Sequence, residues 1–454
     1  MKKLNSLIIL LLFTVTSYGQ FNMPSFKEVV TAFYSKYSFD SQENFLKFSW
    51  KKDGWYVSQD YYNNPGNYIK TVQFWSKGNN SFININYPES NGDTSLISEN
   101  IAKYLQLIEW TYEEYQFNRN KYYGYPGWDW NIINDSADLN SGNDSLLESQ
   151  GRAYSNYASG FIAEQFGDLF INNDSDRVPL KSNDKINDSR INKFIRYELK
   201  SIEAYKKIIK INPEYETKVG NIKIKCANEY MFMYTDLMMA NAPLQAKQFA
   251  ERADYPDSLL TISKTYLESV PLNSIIITAG DNDTYPLWYL QEIKEYRQDV
   301  IVLNYNLLGL RQFISLIGEK YNHRLFSTID TSYLKNNFDY AVFSNDNDAI
   351  QDISATTFLK DLNKNYDPYD TTITDYKNEA LRKYYSKSIF FTNEKSTKSN
   401  TVKLNNYLLM NDYMIIDMLN TNPTRNVFST FYIDMLDNFL EQAGNLYKLD
   451  LWKK

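Results

Sequence analysis

The stretch Ser274–Asn304 constrains this chain most. Ser274-Ile275-Ile276-Ile277-Thr278 is apolar and β-branched, the composition of a short strand buried on both faces. Ala279-Gly280-Asp281-Asn282-Asp283-Thr284 follows as a tight polar turn, and Pro286 suits the first turn of a helix running to about Arg297. Asp299-Val300-Ile301-Val302-Leu303-Asn304 is a second buried strand. Strand, helix and strand within about 30 residues make a parallel β-α-β unit. The expected architecture of the C-terminal part is therefore α/β, with a Rossmann-like parallel sheet.

Ligands of such sheets bind outside the carboxyl ends of the strands, which makes the turn the candidate site. Asp281, Asn282, Asp283 and Thr284 occupy it, and Asn304, followed by Tyr305 and Asn306, ends the second strand at the same edge. Arg425 adds charge if the entry to a third strand near Val427 lies close by. Short polar side chains of this kind suit sugar hydroxyls, or a divalent cation held by the hard oxygens of Asp281 and Asp283. The spelling Asp281-Asn282-Asp283 also fits the Asp-x-Asp pattern of metal-dependent nucleotide-sugar transferases. Against both stands a purely structural role, in which Gly280 permits the turn and Asp283 or Thr284 caps the helix. Sequence alone leaves the three open and identifies no catalytic residue.

Around this unit the chain divides by period. Residues 1–19 read as a signal peptide: Lys2 and Lys3, an apolar run from Leu7 to Val15, then Ser17-Tyr18-Gly19. No later apolar run reaches the roughly 18 residues of a membrane span. Residues 20–95 are expected to hold a small antiparallel β meander, punctuated by Asp53-Gly54, Asn64-Pro65-Gly66 and Lys77-Gly78-Asn79. Residues 96–270 turn helical. Tyr215, Val219, Ile222, Cys226, Tyr230, Met233 and Leu237 recur at spacings of 4, 3, 4, 4, 3 and 4, one face of a long helix. The segment Glu203–Pro213 resembles the second half of a tetratricopeptide repeat, although no clean recurrence at about 34 residues accompanies it. Residues 271–454 form the α/β domain, with a polar insertion or lid at about 344–398. Tyr122, Tyr123, Tyr125, Trp128 and Trp130 form an aromatic cluster, read as core in preference to a sugar- or peptide-stacking surface. Asp135-Ser136, Asp144-Ser145, Asp257-Ser258 and Asp370-Thr371 resemble short bacterial O-glycosylation acceptors.

The counts remove several chemistries. A net charge of −7 and a pI near 5.1 argue against nucleic acid as a partner. One histidine, His323, and one cysteine, Cys226, cannot build a Cys/His zinc site. Cys226 falls on an apolar helical stripe, the position of an inert core thiol, and His323 reads as a surface residue at a helix end. No intrachain disulfide is possible.

Two blocks carry a family resemblance. The first runs from Ile276-Ile277-Thr278-Ala279-Gly280-Asp281-Asn282-Asp283-Thr284-Tyr285-Pro286 through Arg297-Gln298-Asp299-Val300 to Asn304-Tyr305-Asn306-Leu307-Leu308. The second holds Tyr407–Asp412, Met414–Asp417, Arg425-Asn426-Val427-Phe428 and the tail Phe439–Tyr447. Both resemble the soluble C-terminal region of an uncharacterised Bacteroidetes family of protein O-mannosyltransferase-like membrane proteins, whose membrane half has no counterpart here. The second block adds a helix over Tyr407–Leu419, ended by Asn422-Pro423, and a strand over Val427–Ile433. In the family the position of Asn426 is usually proline. The resemblance implies the role of a soluble domain and not a transferase activity, which depends on the missing half. The functional expectation is an exported periplasmic or secreted protein that binds an envelope protein, peptide or glycan without catalysis and without an obligatory cofactor. The alternative is a metal-dependent transferase or hydrolase centred on Asp281-Asn282-Asp283.

Overall fold

A computed structural model describes residues 24, 26–38, 44–51, 53–61, 69–108, 128–135, 143–163, 173–180, 186–217, 219–322, 324–328, 341–343, 352–363, 369–374, 380–384, 388–393, 396–403 and 407–452. Residues 1–19, read above as a signal peptide, and His323, Ser136 and Tyr122 to Tyr125 lie outside them. Two compact units divide the chain, Met1–Asn131 and Ile132–Lys454.

The first unit contains the expected meander. Strands β1 (Asn44–Lys51), β2 (Gly54–Tyr61), β3 (Ile69–Ser76) and β4 (Ser81–Phe82) pair in chain order, all antiparallel. Gly54 turns the first hairpin at φ +150, where an added Cβ would lie 1.9 Å from the Trp75 carbonyl oxygen. A helix not foreseen, α1 (Phe26–Lys36), buries Val29, Val30 and Phe33. The Phe33 ring meets Phe48 at 5.3 Å and Phe74 at 5.6 Å. Helix α2 (Thr94–Ile108) packs on α1. Trp128 and Trp130 open a short helix, Trp128–Asp135, and Trp128 is buried.

The second unit begins helical. Helices α3 (Asp144–Ser159), α4 (Asp188–Ile211), α5 (Ile222–Met239) and α6 (Pro243–Ala250) each pack on the next, and α7 (Asp257–Glu268) leads to the sheet. The helical face read from Tyr215 starts only at Ile222. A small hairpin, β5 (Glu216–Thr217) with β6 (Gly220–Asn221), replaces its first turns. Gly220 adopts φ +109, the Thr217 hydroxyl donates to its carbonyl at 2.7 Å, and Asn221 then caps α5.

The sheet that positions the site has the order β17-β18-β16-β7-β8. Strands β7 (Ile275–Thr278), β8 (Ile301–Asn304) and β16 (Val427–Ser429) run parallel, Ile275 facing both Ile301 and Val427. The remaining two, β17 (Leu440–Ala443) and β18 (Leu446–Leu449), form a hairpin turned at Gly444 that adds antiparallel to β16, so the sheet is mixed. Ile275, Ile276 and Ile277 are all at 0% exposure, each contributing roughly 1.5–3 kcal/mol by burial.

Helix α8 (Asp281–Glu292) links β7 to β8. It starts at Asp281, earlier than the position of Pro286 suggests, so the polar turn is itself the first turn of the helix. Proline lies well inside and leaves the Asn282 carbonyl without its usual i+4 donor. Helix α9 (Arg311–Lys320) follows β8. Within the polar insertion the described residues form two small sheets, in the orders β10-β13-β14 and β11-β12-β9-β15. Their strands are β9 (Ala341–Phe343), β10 (Ile353–Ser354), β11 (Tyr369–Thr374), β12 (Ala380–Tyr384), β13 (Ser388–Asn393), β14 (Ser396–Lys403) and β15 (Tyr407–Leu408). Helix α10 (Ala355–Asn363) packs Phe358 against Tyr413 of α11 (Met410–Thr421). Tyr407 and Leu408 thus belong to a strand, not to the helix expected there. Likewise the last parallel strand stops at Ser429, where the Ser429 hydroxyl donates to the Phe431 carbonyl and turns the chain.

Candidate functional site

The turn at the carboxyl end of β7 divides its four polar residues between two faces. Asp283 and Thr284 face the sheet. Asp283 Oδ1 accepts the Gly280 N–H at 2.7 Å and Oδ2 accepts the Ala279 N–H at 3.2 Å, two donors preceding a helix start. Its Oδ2 also accepts the Thr430 hydroxyl from the end of β16. The Thr278 hydroxyl donates to the Leu303 carbonyl at 3.3 Å, so the Thr284 hydroxyl donates to Thr278 at 2.7 Å. Asn304 Nδ2 donates to Thr284 Oγ1 at 2.8 Å and to the Ala279 carbonyl at 3.3 Å, while its Oδ1 accepts the Leu307 N–H. These three side chains tie β7, β8, β16 and α8 together, with their main polar atoms occupied.

A second helix repeats the device at the same edge. In α11, Asp412 accepts the Leu409 N–H at 2.8 Å and the Tyr305 hydroxyl from the end of β8. Burial raises the Asp412 pKa, and its two donors only partly oppose the rise.

Asn282 and Asp281 face the helices. Asn282 donates to the Val219 carbonyl at 2.6 Å and accepts from Asn228 Nδ2 at 2.7 Å. Asn228 in turn accepts the Tyr255 hydroxyl at 2.8 Å. Asn282 therefore fixes the start of α8 against α5. Asp281 alone is uncommitted: it makes no hydrogen bond or ion pair with any described residue. Its outer side is exposed, yet protein crowds the other. Burial raises its pKa, Lys225 opposes the rise, and Glu229 and Asp283 reinforce it.

Facing Asp281 is a residue that sequence reading missed. Asp236 of α5 is half-buried, and burial, the Asp281 charge and Glu229 push its pKa up to about 8. Asp236 thus holds a proton at neutral pH, and the charge of Asp281 helps to hold it there. Tyr255 and Tyr285, 5% and 4% exposed, wall the pair; burial first and Asp281 second raise both phenols. The signal for Asp236 was present in the sequence. Lys225, Glu229 and Asp236 recur at spacings of 4 and 7, so they share one stripe beside the apolar face of α5.

That stripe runs into a buried polar network. Lys225 pairs with Glu229 Oε1, and the Ser155 hydroxyl donates to Oε2 at 2.9 Å. Burial opposes ionisation of Glu229, but Lys225 and these donors carry its pKa below the usual value. Glu198 of α4 is at 0% exposure beside it, without a well-aligned hydrogen bond among the described residues. Burial, and after it the Glu229 charge, lift the Glu198 pKa well above its usual value. Cys226 is buried and its thiol is pushed up to about 12, as expected of an inert core residue.

Two expected members fall elsewhere. Arg425 precedes β16 and so stands at the amino end of the parallel strands, opposite the turn, where its Nε donates to the Asn273 carbonyl at 2.8 Å. Of the two carboxylates expected around a cation, Asp283 turns its oxygens to the turn's own N–H groups, while Asp281 makes no hydrogen bond with a described residue. Among the described residues no group of three or more Asp, Glu, His or Cys side chains is placed to hold a metal ion, and no helix is long and apolar enough to cross a membrane.

No curated protein and no protein of solved structure matches the chain. Residues 260–439, less than half of it, match the family model described as TMEM260-associated domain 2, a span that takes in α7, the parallel strands, the turn and α11.

Proposed function

We propose that this is an exported glycan-binding protein, and that the Asp281–Asp236 pair, on the first turn of α8 and on α5, is its sugar site. The observation that carries the reading is the contrast within one turn. Asn282, Asp283 and Thr284 are committed to holding the fold, whereas Asp281 presents an uncommitted carboxylate toward Asp236. At neutral pH a protonated Asp236 donates a hydrogen bond, and the Asp281 carboxyl, unbonded to any described residue, offers oxygen acceptors. Adjacent sugar hydroxyls, each both donor and acceptor, complement such a pair. Asp281 follows the carboxyl end of β7, the edge at which sheets of this type bind ligands. The family named in the match bears on the same reading, since its membrane relatives are O-mannosyltransferase-like.

Calorimetric titration with neutral oligosaccharides tests it. Asp281→Asn should weaken binding by roughly tenfold or more, the scale of one hydrogen bond to a charged group. Binding that is indifferent to both Asp281→Asn and Asp236→Asn would remove the pair from consideration. A second reading rests on the raised pKa of Asp236, because a carboxyl that keeps its proton at neutral pH also serves as a general acid. Glycan cleavage that Asp236→Asn abolishes while binding persists would select it over simple recognition.

A further inference from the structure

The amino end of the parallel strands carries a groove of its own. It has a volume of about 160 Å³ and lies between the segment that enters β16 and the segment that leaves β18, with Pro423, Arg425, Asn426, Lys448, Asp450 and Trp452 among its walls. Two cations stand in it on a chain whose net charge is −7. Arg425 is anchored through Nε to the Asn273 carbonyl, and this leaves both terminal nitrogens of its guanidinium without a partner among the described residues. Lys448 makes no hydrogen bond or ion pair with a described residue, although Glu441 stands opposite it across the β17–β18 pair. Asp450, the one acid lining the groove, accepts the Trp452 N–H at 2.9 Å. Trp452 is held as a wall by its indole N–H, which donates to the Pro423 carbonyl at 2.7 Å.

We propose that this groove is a second ligand site, which takes the carboxylate of a small organic monoacid, with Arg425 and Lys448 on the carboxylate and the Trp452 ring against the carbon skeleton. Three features select that class. The free face of a guanidinium is a planar fork that matches a carboxylate through two parallel hydrogen bonds. Two cations offset by Asp450 leave about one net positive charge, which suits a monoanion better than a phosphate dianion. The indole and Pro423 offer apolar surface to a carbon skeleton, which inorganic phosphate lacks. The site lies at the opposite end of the strands from Asp281 and stands or falls independently of the glycan reading.

Benzoate, its uncharged isostere benzamide, and inorganic phosphate are the probes, titrated against the full chain with the indole N–H resonance of Trp452 as the reporter. Benzoate should saturate and shift that resonance. Benzamide and phosphate should each bind at least tenfold more weakly, the scale of losing a charge-assisted contact. Lys448→Gln removes a side chain with no bonds in the fold, and should weaken benzoate by about tenfold while leaving the melting temperature unchanged. Arg425→Lys keeps the charge, removes the fork and should weaken it as much. No saturable benzoate binding, equal affinity for benzoate and benzamide, tighter binding of phosphate, or unaltered benzoate affinity in Lys448→Gln would each overturn the assignment.

Discussion

Replacing Asp283 and Asp281 separately by alanine tests the division of labour in the turn. Asp283→Ala deletes the acceptor of the Gly280 and Ala279 N–H groups and of the Thr430 hydroxyl. A lost helix cap costs about 1 kcal/mol, and a hydrogen bond to a charged group from a strand end adds roughly 1.5–3 kcal/mol. The sum is about 3 kcal/mol, partly relieved where water reaches the half-buried carboxylate. At about 2 °C per kcal/mol for a large unit, the melting temperature should fall by roughly 5 °C. Asp281→Ala removes no hydrogen bond, so its effect should stay within about 0.5 kcal/mol. Differential scanning calorimetry of the three proteins at pH 7 reads both values. Equal destabilisation by the two substitutions, or a loss below about 1 kcal/mol for Asp283→Ala, would refute the assignment of Asp283 to the fold and Asp281 to the ligand.

Two further outcomes follow from the buried charges. Glu198 has a folded-state pKa raised above its unfolded value, so the stability it contributes is complete below about pH 4, the unfolded value, and is lost as pH rises toward the folded one. Glu198→Gln imitates the protonated acid and should flatten that decline in urea melts between pH 5 and 9, whereas Glu229→Gln, which strands the Lys225 ammonium, should cost about 3–5 kcal/mol. Arg297 donates to the Leu267, Val270 and Pro271 carbonyls at the end of α7 and pairs with Asp299 at 2.8 Å, so Arg297→Ala should cost about 2–4 kcal/mol and Arg297→Lys, without the fork, should recover little of it in thermal melts.

What the sequence discloses here depends on how far apart the interacting residues lie. The parallel strands at Ile275, Ile301 and Val427 were legible because each is a short, wholly apolar run, and a run buried on both faces belongs inside a sheet. The turn between the first two was legible as a place, because chain connectivity alone puts it at a strand end. The roles within it were not. Asp281 and Asp283 are two residues apart and chemically identical, yet one reaches back to its own N–H groups and the other forward to a helix that precedes it by 42 residues or more. Rotation by about 200° along a helix turns two such side chains to nearly opposite faces, which is why the two carboxylates of an Asp-x-Asp spelling in the first turn meet different surroundings. The same geometry works in the other direction for Lys225, Glu229 and Asp236. Their spacing keeps them on one stripe, and α4 and α8 then supply Glu198 and Asp281 to it from far along the chain. Charges aligned on a helix beside its apolar face leave only two outcomes, a solvated surface or a buried network, and hydrophobic periodicity does not choose between them. Packing of α3 and α4 over one end of the stripe makes that end a buried network; toward the other end stands Asp236, only partly covered, with Asp281 near it. The proposed sugar site therefore lies where the stripe passes from buried to half-covered, and Asp236, absent from every sequence motif, is the residue on which that proposal depends.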